Sequence, residues 1–315
     1  MENMNNRQIR NPILLCCFSR GGSNILWNLV ASHPHIVTPL CELHEPFRQK
    51  PLNAIMNVLT LKKYPSLTKP LPVIKETPYS FFAPGNLKKR PELSEKTLNC
   101  IEEEIYKRKF YTLKEPITNE IYPGVPYTEA KVHGARVCLK ALDGIVFTSD
   151  PLRKKWPEMK NIVLYRCPEA VFESWKRRRK VGSAEEFISV YKPISEEMLS
   201  QEDTSLFVAF DELLRNPGKV LNNIGYWIGC DFSALAYVKL KAKGHYTDDG
   251  YWKPSNSDKH FWIHFDELND YLNKNIDDTQ LGKIGEKNRI KIEKELSPIK
   301  TEFKKRIKDC DFFGE

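Results

Sequence analysis

The stretch "CCFSRGGSNILWNL", residues 16–29, decides how this chain is read. An apolar run, Ile13 to Phe18, stops at Ser19-Arg20-Gly21-Gly22-Ser23-Asn24, and an amphipathic helical pattern begins at once. Glycines let a backbone approach an anion, amides at a helix start point toward it, and the helix dipole favours negative charge. Gly21 and Gly22 supply the freedom, Ser23 and Asn24 add side-chain donors, and Arg20 adds a full charge with forked donors. A tight strand–helix turn capped by Ser23 is the plainer reading of the same residues.

The pattern recurs along the chain. Strand-like runs lie at 12–18, 35–40, 71–75, 136–142, 161–167 and 206–210. Several are apolar throughout, as in parallel strands covered on both faces. Helical stripes follow three of them: Ile25, Leu26, Leu29 and Val30; then Val171, Phe172 and Trp175 behind Pro168; then Leu221, Ile224 and Ile228. This alternation predicts one α/β domain over 1–315, a central parallel sheet flanked by helices. Insertions are expected at about 86–130 and 182–205, and a charged helix at about 286–309. In such sheets ligands bind beyond the carboxyl ends of strands. Arg20 and Arg166 each follow a strand directly and so can face one crevice.

Composition narrows the classes. The chain has 315 residues, 41% hydrophobic and 29% charged, which suits a globular core rather than disorder. Its net charge of +8 favours an anionic ligand or acceptor without calling for nucleic acid. The 8 cysteines form no C-x-x-C pair, and several sit in apolar runs, as small hydrophobes in a reducing compartment do. The polar start "MENMNNRQIRNP" lacks a signal-peptide core, and no apolar run is long enough to span a bilayer. A soluble, cytoplasmic protein is expected. His260 and His264 lack the glutamate of H-E-x-x-H, so no metal is expected. "KRRRK" (176–180) reads as a solvated helix end, which an anionic acceptor could also use.

The glycine turn is not a Walker loop, because its basic residue precedes the glycines and no lysine follows them. "SRGGSNILWNLVASHP" instead resembles the 5′-phosphosulfate loop of sulfotransferases that use 3′-phosphoadenosine 5′-phosphosulfate (PAPS). The resemblance implies a P-loop-like fold and places Arg20, Gly21, Gly22, Ser23 and Asn24 around the phosphosulfate, with Asn24 standing where that family usually has a hydroxyl. "YRCPEAVFESW" resembles the same family's 3′-phosphate motif, which implies that Arg166 and Ser174 bind that phosphate. "HGARVCLKAL" is similar to a strand that brings a lysine, here Lys140, toward the site. "VIKETPYSF" is similar to a lysine-threonine-proline segment near the acceptor, with Glu76 as the departure. "KGHYTDDGYWKPS" is similar to a loop over the nucleotide, which would carry Lys243 and Gly244.

The implied activity is transfer of a sulfuryl group to a hydroxyl or amine, on a small molecule, a carbohydrate or another acceptor, with no metal. A base must take the acceptor's proton. "LCELHEPFRQ" supplies Glu42, His44 and Glu45, with Glu45 matching the family's Glu-Pro. An exposed loop whose acids bind nearby amides or Arg48 is the plainer alternative. Stretches 42–60, 76–130 and 182–205 are expected to shape the acceptor pocket. A P-loop-like nucleotide kinase and a non-catalytic binder of PAPS or another polyanion are the competing readings.

Overall fold

The computed structural model describes residues 8–39, 42–43, 90–114, 119–177, 180–241, 245–246, 252–253, 260–274 and 284–312. The expected strand at 71–75 lies outside them, as do Glu76, Lys243 and Gly244.

In chain order the elements are β1 (Ile13–Cys17), α1 (Ser23–Val30), β2 (Ile36–Val37), α2 (Glu95–Lys109), a hairpin of β3 (Glu120–Tyr122) and β4 (Val125–Pro126), α3 (Glu129–Gly134) and β5 (Arg136–Leu142). Then come α4 (Ser149–Arg153), β6 (Lys160–Tyr165), α5 (Pro168–Arg177), α6 (Ala184–Leu199), β7 (Ser205–Ala209), α7 (Phe210–Arg215) and α8 (Pro217–Ile228). The last are β8 (Tyr237–Lys241), the short pair β9 (His245–Tyr246) and β10 (Trp252–Lys253), β11 (His260–His264), α9 (Leu268–Lys274) and α10 (Glu286–Asp309).

Among the described residues the central sheet has 5 strands in the order β2-β5-β1-β6-β7. All four pairings are parallel. The expected α/β architecture, a parallel sheet flanked by helices, is therefore present. β1 runs down the middle, between β5 and β6, and the chain leaves it to opposite sides before and after β5. In open α/β sheets such a reversal is where ligands bind, and here it falls at the carboxyl end of β1, where the glycine turn begins.

Strand side chains alternate between faces, so each strand feeds two cores. Leu14, Cys16, Phe18, Leu139, Val163 and Tyr165 pack with α5, α6 and α10 through Phe172, Trp175, Phe187, Tyr191, Leu296 and Phe303. Ile13, Leu15, Cys17, Ile162, Leu164 and Leu206 pack on the other face, against Leu26 and Leu29 of α1 and Leu221 and Ile224 of α8. The stripes read from sequence are the buried ones, except that Ile25 is only half-buried. The 286–309 helix is present and buries Ile292, Leu296, Ile299 and Phe303 beneath its charged face. α6, in the stretch read as an insertion, puts Phe187, Tyr191 and Ile194 fully inside. Phe18, the residue just after β1, stacks on the Tyr191 ring at 4.1 Å, so α6 supports the base of the glycine turn.

Leu26 has no exposed surface and joins α1 to the sheet. Leu26→Ala is expected to cost about 2–5 kcal/mol, the usual range for a deeply buried leucine. Denaturant unfolding measures it, and a loss well under 1 kcal/mol would show that α1 is not fastened through this residue.

Candidate functional site

Three constraints shape the turn after β1. The Gly21 N–H donates to the Phe18 carbonyl at 2.9 Å, and a Cβ at Gly21 would stand only 2.8 Å from that same oxygen. Arg20 and Gly22 both have positive φ, 69° and 92°, a region costly for Arg20 and natural for glycine. At Gly22 a Cβ would also run into the ring of Phe210. The turn is thus wound tightly, and α1 starts from a left-handed N-cap with no acidic residue in its first turn. Among the described residues no acceptor bonds the N–H of Gly22, Ser23 or Asn24. Three successive donors at the positive end of a helix form an anion cradle.

Ser19 is clamped by three side chains. Its N–H donates to Asp143 Oδ1 at 2.8 Å, and its carbonyl accepts from Trp175 Nε1 at 2.7 Å. Its hydroxyl accepts from Lys180 Nζ at 2.5 Å, while Lys180 also lies 3.4 Å from Asp143 Oδ2. These bonds fix the residue immediately before Arg20 and thereby hold its backbone in the left-handed region. Asp143 and Lys180 were not singled out from sequence. Asp143 directly follows β5, at the carboxyl edge where ligands bind, and that position was the available signal. Lys180 ends the "KRRRK" run and is exposed, as a solvated helix end should be, while its amine also reaches over Trp175 and onto Ser19.

The two motifs read from sequence meet here. Arg166, which follows β6, donates Nη1 to the carbonyl of Arg20 at 2.6 Å. Its guanidinium lies 4.9 Å from the Phe210 ring centre, so Phe210 touches both motifs. Tyr191 holds the Arg166 carbonyl with its hydroxyl at 3.2 Å. Burial pushes the Arg166 guanidinium down from its ordinary value, the nearby Asp211 carboxylate raises it, and Arg20 pushes it down again. Ser174 is buried in α5, and no hydrogen bond joins it to Arg166.

Lys140 reaches the opposite side of the cradle. It is 2% exposed and donates to Asn24 Oδ1 at 2.7 Å. It pairs with Glu42 Oε1 at 2.9 Å and lies over the Trp27 ring at 4.3 Å. With Oδ1 facing Lys140, the Asn24 amide nitrogen is left as a donor, the role a hydroxyl would otherwise serve. Glu42 is therefore ion-paired beside the loop. His44 and Glu45, the other proton-acceptor candidates, lie outside the described residues. Among the described residues no group of three or more His, Cys, Asp or Glu side chains is placed to hold a metal ion, and no helix is long and apolar enough to cross a membrane.

No family model matches the chain, and no curated protein matches it. The fold is similar to those of solved sulfotransferases. One is the sulfotransferase domain of the Synechococcus PCC 7002 olefin synthase, with 21% identity over 71% of this chain and 75% of that one, TM-score 0.38. Another is sulfotransferase STF1 from Mycobacterium tuberculosis H37Rv, with 12% identity over 72% and 69%, TM-score 0.44. A sulfotransferase from Alicyclobacillus acidocaldarius has 12% identity over 95% of this chain and 96% of that one, TM-score 0.46.

Gly22→Ala is expected to destabilise the protein by about 1–3 kcal/mol, from strain at positive φ, with the Phe210 ring displaced. Denaturant unfolding would measure this, and an unchanged midpoint would contradict the tight packing of Phe210 on the turn.

Proposed function

We propose that this protein transfers a sulfuryl group from PAPS to a hydroxyl or amine of an acceptor. The observation that carries the reading is the 2.6 Å bond from Arg166 to the Arg20 carbonyl. It joins two anion-binding motifs, far apart in sequence, at the carboxyl edge of one parallel sheet. A ligand with phosphate groups at both ends suits such a pair better than a single anion would.

In this reading Arg20, Ser23, Asn24 and the amides of Gly21 and Gly22 hold the phosphosulfate end. Arg166 and Ser174 hold the 3′-phosphate, and Lys243 and Gly244 cover the nucleotide. The donor supplies an activated sulfuryl group whose S–O bond to phosphate breaks as a bond to the acceptor forms. Arg20 and the N–H groups at the start of α1 stabilise the negative charge gathering on the leaving phosphate oxygen, a task for fixed donors in a sheltered site. Lys140, tied to Asn24, adds a positive charge to the same end of the loop. Glu45 takes the acceptor's proton. Glu42 keeps Lys140 in position and is not the base, since its carboxylate is already committed to an ammonium.

Two experiments test the donor and the base separately. 3′-Phosphoadenosine 5′-phosphate is expected to raise the melting temperature more than adenosine 5′-phosphate or ATP; at 100 times the dissociation constant the gain is about 2.7 kcal/mol. Arg166→Ala is expected to erase that preference, a loss of roughly 1.5–3 kcal/mol measured by calorimetry. Equal shifts with all three nucleotides would remove the basis for the donor assignment. Glu45→Gln is expected to lower turnover by roughly 10²–10⁴-fold with nucleotide affinity unchanged, whereas Glu42→Gln and His44→Ala are milder. Near-normal turnover in Glu45→Gln together with collapse in His44→Ala would move the role to the histidine, and the pH profile would then rise near pH 6.5.

A further inference from the structure

Away from the crevice, β8 carries a lysine where an apolar residue would be expected. Val238 and Leu240 are buried in the core under α1. Lys239, between them, points to the other side of the strand and is also buried, at 4% exposed. It pairs across the antiparallel ladder with Trp262 of β11. Its amine lies 4.9 Å from the Trp262 ring centre and 5.1 Å from that of Tyr127. Ring faces stabilise a cation but accept no ordinary hydrogen bond. Among the described residues no carboxylate pairs with Lys239 and no acceptor bonds its Nζ. The nearby Glu120 carboxylate is engaged instead by Trp262 Nε1 at 3.0 Å. Burial pushes the Lys239 amine down to about 7, with Glu120 opposing.

Lys239 lines a cavity of about 20 Å³ together with the polar residues Asn28, Thr38, Thr112 and Tyr127 and the apolar residues Ala31, Ile36 and Val37. That exceeds the roughly 10–15 Å³ needed by one water-sized guest. Two of the lining hydroxyls already donate to the backbone: Thr112 to the Thr38 carbonyl at 3.2 Å and Tyr127 to the Pro34 carbonyl at 3.3 Å. Among the described residues, the lining groups left without a hydrogen-bond partner are the Thr38 hydroxyl, the Lys239 amine, with up to three N–H bonds, and the buried Asn28 carboxamide. A buried ammonium with only ring faces around it is costly, and a guest that accepts hydrogen bonds and carries negative charge removes that cost.

We propose that this cavity binds one small monovalent anion of halide size, held between Lys239 Nζ and the Asn28 carboxamide. The site is distinct from the donor cradle. Asn28 lies one turn along α1 from Asn24, roughly 6 Å further from the loop. The anion ties β8 to α1 and to the segments that carry Thr112, after α2, and Tyr127, after β4.

Bromide-soaked crystals give the direct test: an anomalous peak between Lys239 and Asn28 is expected, and a water there instead would overturn the proposal. In solution, chloride in place of gluconate at fixed ionic strength is expected to raise the melting temperature saturably, by roughly 2 °C or more. Lys239→Met is expected to lose this response. Should that variant fail to fold, Asn28→Asp decides, because it supplies an internal carboxylate to Lys239 and is expected to fold and ignore chloride. A wild-type protein indifferent to chloride, or an Asn28→Asp variant with the wild-type response, would sink the idea. None of these readouts depends on the sulfuryl-transfer reading.

Discussion

The ring of Phe210 leaves no room for a side chain at residue 22. The turn after β1 passes Gly22 at positive φ, so both the backbone conformation and the ring ask for glycine where α1 starts. The same ring lies beneath the Arg166 guanidinium. One aromatic side chain, at the start of α7, therefore packs against both basic motifs. A cradle built from backbone N–H groups works only if its geometry is set in advance, because the amides cannot reorient at the moment of reaction.

Much of this was legible in the sequence. Each of the five sheet strands overlaps an apolar run read from sequence, because parallel strands covered on both faces need apolar residues at nearly every position. Pro168 opens α5 and Gly229 closes α8 at positive φ, which is where those residues belong. Arg20 and Arg166 could be assigned to one crevice, since each follows a strand of one parallel sheet. What the sequence did not disclose is the support behind them. Asp143, Trp175 and Lys180 converge on Ser19 from the end of β5, from α5 and from the turn after α5, and nothing in a linear pattern announces that convergence. Lys180 stays exposed, as the charge run implies, yet its amine still reaches Ser19. Lys239 was equally hidden, since one lysine in a short alternating strand reads as a surface position.

Lys140 links matters that otherwise look separate. Its amine is shared between Asn24 on the loop and Glu42 on the segment after β2. The backbone of Leu43 also donates to the Lys140 carbonyl at 3.0 Å. The stretch leading to His44 and Glu45 is thereby anchored to the strand that lies beside the cradle. Asn24 and Glu42 are thus coupled through one amine, so a shift of either side chain bears on the other.

The close approach of Arg20 and Arg166 has an electrostatic side as well. Two guanidinium-bearing residues are held together by a backbone hydrogen bond while their charges oppose each other. The fold of β1 and β6 holds this repulsion in check, much as a latch holds a compressed spring. In the proposed function, a polyanion bound here would gain once from its own contacts and once from quieting that internal conflict. Dissolved salt quiets the same conflict, since charges near the surface are screened over roughly 8–10 Å at ordinary ionic strength. Under the proposed function, salt would therefore compete with the donor both for the arginines and for the relief that binding brings.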